Sequence, residues 1–204
     1  MAGRQLAGGG LVTTPFLNYT GAMRVELTDG RALARIKEPY FNRTYGAYCS
    51  HQNTPNRLED AAHPGAWRKG NLVYLPHPLA ELYHLHGARV HRQFFANALG
   101  LIYSSPVVAT RLPSAGRVNL IHQPAQRRYV AHLMYGSPMQ RGRCLVIEDL
   151  PTLYKVPVTL DVPETIARAY LAPAKRALPL KAKAKKVRVV VPSFSGHVAV
   201  VFEY

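Results

Sequence analysis

The sequence predicts an α/β segment followed by an antiparallel β-sandwich, and three observations carry that reading. A short apolar run, Asn71-Leu72-Val73-Tyr74-Leu75, follows a glycine and is ended by Pro76 and Pro78, as a buried strand would be. Residues 79–103 then switch to helical spacing. Leu79, Leu82, Tyr83 and Leu85 precede Gly87, and Val90, Phe94, Phe95, Ala98, Leu99 and Ile102 follow it, so two helices broken at the glycine are expected. From Pro106 onward the apolar period falls to two, with Pro, Gly, Ser or Gln-Pro punctuation between short runs. The boundary is placed at residue 110, giving an α/β domain over 1–110 and a sandwich over 111–204.

The elements follow in chain order. Gly8-Gly9-Gly10 lacks the Lys-Ser/Thr of a phosphate loop and any complete G-x-G-x-x-G spacing, so it reads as a tight turn before a strand. Thr28-Asp29-Gly30 lies between MRVEL and RALARI and predicts a hairpin joining those two runs. Residues 38–70 are rich in Pro, Asn, His and Arg and read as a long irregular segment. Its aromatic residues Tyr40, Phe41, Tyr45 and Tyr48 argue against disorder. In the sandwich the strands are placed at 117–122, 129–134, 144–148, 156–162, 166–171, 177–180, 186–191 and 197–203.

Composition narrows the function classes. A hydrophobic share of 48% supplies a packed core. Against 11 Asp and Glu there are 26 Lys and Arg, a net charge of +15, which favours anionic partners in general. The arginines are scattered from Arg4 to Arg188. Among the lysines, Lys181, Lys183, Lys185 and Lys186 form a basic patch, read as a solvated hairpin loop or as a site for nucleic acid or another polyanion. No RNA- or DNA-binding module accompanies the patch, so nucleic acid is not the expected partner. Cys49 and Cys144 are too few and too far apart for a disulfide framework or a thiolate metal site. No signal-peptide core or membrane-length apolar run is evident, and a cytoplasmic location with no membrane partner is expected.

The segment EPYFNRTYGAYCSHQNTP, residues 38–55, concentrates side chains suited to a polar ring-shaped ligand. Tyr40, Asn42, Arg43, Tyr45 and His51 are the candidate sugar contacts, offering donors, acceptors and flat apolar faces. The same residues also suit a packed loop that satisfies its own backbone. A glycosidase needs two carboxyl groups opposed across the scissile bond. Glu59-Asp60 sits in a loop and Glu148-Asp149 ends a strand, where neighbours point to opposite faces. No catalytic residue is assigned. His77, His84, His86 and His91 lack the spacing of a metal-binding helix, and no metal or cofactor is expected. Ser104-Ser105 and Ser193 lack a nucleophile motif.

The run GNLVYLPHPLAELYHLHGARVHRQFFANALGLI, residues 70–102, resembles the last strand and helices of the trimerisation domain of β-galactosidase-like glycoside hydrolases. EPYFNRTYGAYCSHQNTP is similar to a segment of the same domain in uncharacterised members. RYVAHLMYGSP, VIEDLPTLYKVPVTLDVP, AYLAPAKRALPL and VPSFSGHVAVVFEY resemble their C-terminal β-sandwich. The resemblance implies that residues 1–110 form a shortened flavodoxin-like, or glutamine-amidotransferase-like, α/β domain. It also implies a non-catalytic module, assembling with itself or with a barrel-bearing glycosidase subunit and bordering a carbohydrate site. The catalytic (β/α)₈ barrel of such relatives takes about 250 residues and is not in this sequence.

Overall fold

In the computed structural model the described residues are 2–183 and 185–204; Met1 and Ala184, the latter inside the KAKAKK run, lie outside them. The chain divides by contact into two units, Met1–Ser104 and Ser105–Tyr204.

In the first unit β1 (Arg31–Arg35), β2 (Pro64–Lys69) and β3 (Leu72–Tyr74) form a sheet in that order, followed by α1 (Leu79–His86) and α2 (Arg89–Gly100). The strand at 72–74 and the two helices form where the apolar spacing places them. Gly87 ends α1 because it takes the left-handed conformation (φ 63°) and donates its N–H to the Tyr83 carbonyl at 2.9 Å. Leu82, Phe94 and Ala98 of the helices bury against Leu6, Leu33, Ala34 and Ala66. Asn97 Nδ2 ties the N-terminal turn to α2, donating to the Leu6 carbonyl at 2.6 Å and the Gly8 carbonyl at 3.1 Å.

Three expectations are corrected here. Both strand pairings of the sheet are antiparallel, whereas a flavodoxin-like layer needs parallel strands joined by crossover helices. No such layer is found among the described residues. The Asp29-Gly30 turn does not join MRVEL to RALARI: residues 21–27 are irregular, and β1 pairs with β2 instead. Gly30 is needed for that long-range pairing. Its φ is 81°, and a Cβ there would lie 2.6 Å from the Arg68 carbonyl oxygen and 3.0 Å from Trp67 Nε1. Trp67 Nε1 in turn donates to the Asp29 carbonyl at 2.6 Å. The triple glycine is a turn with positive φ at all three residues, but it leads into irregular chain rather than a strand.

The second unit is a sandwich whose alternation is visible residue by residue. One sheet has the order β11 (Arg176–Leu178), β10 (Arg168–Ala172), β14 (His197–Glu203), β6 (Arg128–Met134), β5 (Arg117–Gln123). The other has the order β12 (Lys181–Lys183), β13 (Lys186–Phe194), β9 (Leu153–Asp161), β4 (Val108–Thr110). All pairings are antiparallel. Alternate residues, such as Val156, Val158 and Leu160 on β9 and Val198, Val200 and Phe202 on β14, meet in one core. A separate hairpin joins β7 (Met139–Arg141) to β8 (Cys144–Val146).

Each strand placed by period two is present. β4, β7 and β12, three residues each, are further strands that the sequence reading does not place. At one edge of the core Tyr129 donates its hydroxyl to Glu164 Oε2 at 2.9 Å. Burial and that bond push its phenol up to about 12.

Phe202 is fully buried on the central strand of its sheet. Phe202→Ala should cost about 3–5 kcal/mol in urea denaturation followed by far-UV circular dichroism. Val190→Ala, on the outer face, should cost about 0.5 kcal/mol or less. In the first unit, Gly30→Ala should lower stability by about 1–3 kcal/mol. The fluorescence of Trp67, the single tryptophan, reports that loss directly.

Candidate functional site

The first unit contains an open cavity of about 820 Å³, walled by several separate stretches of chain. Residues 15–24 form one wall, the end of β1 and the start of the following loop (34–43) a second, and residues 52–56 a third. His63, Gly65, Leu75, His77, Leu79 and Phe94 close it. A smaller pocket of about 530 Å³ shares Arg24, Glu38, Pro39, Phe41, Asn42 and His63, and adds Tyr40, Arg57 and residues 59–62.

The wall from 38 to 57 is a closed excursion rather than a free loop. Its base is pinned by an antiparallel bridge between Pro39 and Asn56. Tyr40 N–H donates to the Pro55 carbonyl at 3.1 Å, and Arg57 N–H to the Glu38 carbonyl at 2.8 Å. Its interior is held by Arg43, whose Nη1 donates to the carbonyls of His51 (3.1 Å) and Gln52 (2.8 Å). These bonds place the five predicted sugar contacts unequally. Asn42 and Arg43 line the larger cavity, and Tyr40, half-exposed, lines the smaller pocket. Tyr45 stands fully exposed at the tip, beside the turn in which Thr44 and Ala47 exchange backbone bonds. His51 is also exposed, and its carbonyl serves Arg43. The structure therefore groups Tyr40, Asn42 and Arg43 around the cavities and leaves Tyr45 and His51 outside them.

Sequence reading did not single out Asn18, Thr20, Arg24, Glu38 or His63 as site residues. Asn18 Oδ1 and Thr20 Oγ1 are shut off from solvent without a protein partner, and both residues line the large cavity. Such acceptors lose their hydration without recovering a hydrogen bond, which a polar ligand could supply after local adjustment. They lie on an irregular stretch with no periodicity, so no pattern signalled them. Behind this wall the fully buried His91 donates Nε2–H to the Leu17 carbonyl at 3.1 Å and fixes the stretch in place.

The charges are arranged in clamps. Glu38 accepts from Arg24 at 3.2 Å and pairs with His63 at 3.3 Å. Asp60 is held by Arg35 at 2.8 Å and by Lys37 at 3.1 Å. Hydrogen bonds from those two cations keep the Asp60 carboxyl below its ordinary range. The smaller pocket thus gathers Glu38, Glu59 and Asp60, but Asp60 is shifted in the direction opposite to that of a proton donor. Glu148 is bound by Arg141, the shortest contact being 2.6 Å. Among the described residues no group of three or more His, Cys, Asp or Glu is placed to hold a metal ion. No helix formed by them is long and apolar enough to cross a membrane.

Fold and cavity together define a largely antiparallel module with a polar, cation-rich cleft. No family model and no curated protein matches the sequence. Among solved structures, the chain is similar to α-L-fucosidase isoenzyme 2 from Paenibacillus thiaminolyticus, at 34% identity and a TM-score of 0.90 over 97% of its length. It spans only 31% of that fucosidase chain, so the likeness is to one portion of a glycoside hydrolase. A cycloisomaltooligosaccharide glucanotransferase from Paenibacillus sp. matches 60% of this chain and 21% of its own, at 15% identity and a TM-score of 0.31, which carries no weight.

His77 gives the cavity a pH response. Burial holds its imidazole below the ordinary histidine pKa, the like charges of His91 and His63 add to this, and Glu38 opposes it. The folded pKa lies below the unfolded one, so the unfolded chain takes up this proton first. Stability from this group is therefore lost as pH falls through about 6.5. His77→Gln should flatten the decline in thermal stability between about pH 7 and about pH 5.5, followed by Trp67 fluorescence. Equal declines in both proteins would reject the assignment.

Proposed function

We propose that this chain is a non-catalytic module of a glycoside hydrolase, with its cavity bordering a carbohydrate site. The single observation that carries the reading is the match of nearly its whole length to less than a third of an α-L-fucosidase. Kinship with the trimerisation domain and sandwich of β-galactosidase-like enzymes is the finer form of the same proposal. The catalytic carboxyl groups belong to another part of the enzyme, supplied by a barrel-bearing partner. Tyr40, Asn42 and Arg43 are the sugar contacts at the cavity, with Tyr45 and His51 reaching outward from the same loop toward that partner.

Assembly, with itself or with the catalytic subunit, is supported by the outer side of the helices. Phe95, Leu99 and Ile102 follow one another at i, i+4 and i+7 and remain 48%, 46% and 42% exposed. The free thiols Cys49 and Cys144 suit the reducing cytoplasm in which the module is proposed to work. A polyanion-binding role is the second reading, favoured by the lysine-bearing hairpin of the sandwich.

The purified chain should not turn over aryl α-L-fucosides or aryl β-galactosides. L-Fucose or D-galactose should shift the amide resonances of residues around the large cavity, with an affinity on the order of mM. Asn42→Ala should abolish those shifts. Light scattering should show an oligomer, and a monodisperse monomer would remove self-assembly from the proposal. Turnover abolished by a single Glu59 substitution would overturn the non-catalytic reading.

A further inference from the structure

The β12–β13 hairpin brings like charges into direct opposition. Lys181 faces Arg188 and Lys183 faces Lys186, and all four side chains are exposed on the outer face of the four-stranded sheet. Directly opposed residues stand about 4.5–5.5 Å apart at Cβ, and like charges at that separation destabilise a sheet. Along the strands the two pairs are about 6.5–7 Å apart. One carboxylate answers them: Asp161, across from Lys186, approaches its ammonium at 3.5 Å. Among the described residues no carboxylate pairs with Lys181, Lys183 or Arg188. The arrangement is a two-by-two cationic grid whose repulsion an external anion would relieve.

The rest of the same face fixes the kind of anion. Continuing across the sheet from Arg188, the outward residues are Thr159 on β9 and Ala109 on β4, and the next row holds Val190 and Pro157. These short side chains form a low shelf beside the grid, with one hydroxyl. No aromatic ring lies in these rows to stack a base, as single-stranded nucleic acid binders require; the exposed Tyr154 of β9 stands further along the strand, across from Ser193. A pyranose can lay its apolar face on such a shelf while its charged substituents reach the cations.

We infer that this face binds an anionic polysaccharide, one carrying sulfate or uronate groups, through Lys181, Lys183, Lys186 and Arg188. The grid and the sugar cavity lie in different units, so the failure of either binding activity leaves the other to stand.

The test uses the full chain and a fluorescein-labelled heparin octasaccharide, read by anisotropy at fixed ionic strength. Binding should weaken steeply with added salt. The triple variant Lys181→Gln, Lys183→Gln, Arg188→Gln should lose at least about tenfold in affinity, near 1.4 kcal/mol. A control removing three charges elsewhere, Arg89→Gln and Arg92→Gln on α2 with the exposed Arg4→Gln, should change it by less than about twofold. Circular dichroism and light scattering confirm that each variant is folded and unaggregated. Equal losses in the triple variant and the control would show a general effect of net charge and overturn the site. Tighter binding of single-stranded or duplex DNA of equal charge would reassign the grid to nucleic acid and overturn the glycan proposal.

Discussion

The grip of Arg35 and Lys37 on Asp60 draws together the two ends of the first unit's long irregular stretch. Arg35 ends β1 and Asp60 sits just before β2, so the clamp closes the chain on both sides of a long excursion that contains no regular element of its own. Nearby, the Ala61 N–H reaches the Ile36 carbonyl at 2.8 Å, and the Pro39–Asn56 bridge continues the closure outward. Without these ties the backbone polar groups at the base of the excursion would be left to solvent. With them, the excursion becomes a wall with a defined inner side, and a cavity exists.

The two units reach order by different means. The sandwich is specified by burial, since every second residue of its long strands is apolar and the two inner faces share one core. The first unit buries a much smaller core around Leu6, Leu82 and Phe94 and leans on side chains that bond to distant carbonyls. Arg43, Asn97, Trp67 and His91 all do this. Such bonds fix irregular chain in one conformation, which suits a surface whose polar atoms must be held in position.

What the sequence made legible follows from the same contrast. Period-two alternation located the long strands of the sandwich, and Gly87 located the break between the helices, because both signals are local and repeat. β2 was hidden in a stretch judged irregular: it opens with Pro64-Gly65 and ends with Arg68-Lys69, so propensity opposes a strand that tertiary pairing creates. The Asp29-Gly30 turn has the local signature of a hairpin, but its glycine instead admits a strand from beyond residue 60. The flavodoxin-like expectation came from likeness to a family and not from the spacing of residues, and antiparallel pairing overrides it. Of the candidate site, the loop was visible through its aromatic and amide content. The opposite wall at Asn18 and Thr20 was not, because its role arises only when several distant stretches meet.

The place of β12 at the rim of its sheet has a further effect. A rim strand offers unpaired backbone groups to any passing strand, and ordered proteins discourage that contact with lysine. Lys181 and Lys183 supply that discouragement, so a second copy meets electrostatic repulsion before its backbone can dock. The same positive rim that would welcome an acidic chain therefore also keeps the sheet from growing into a fibre.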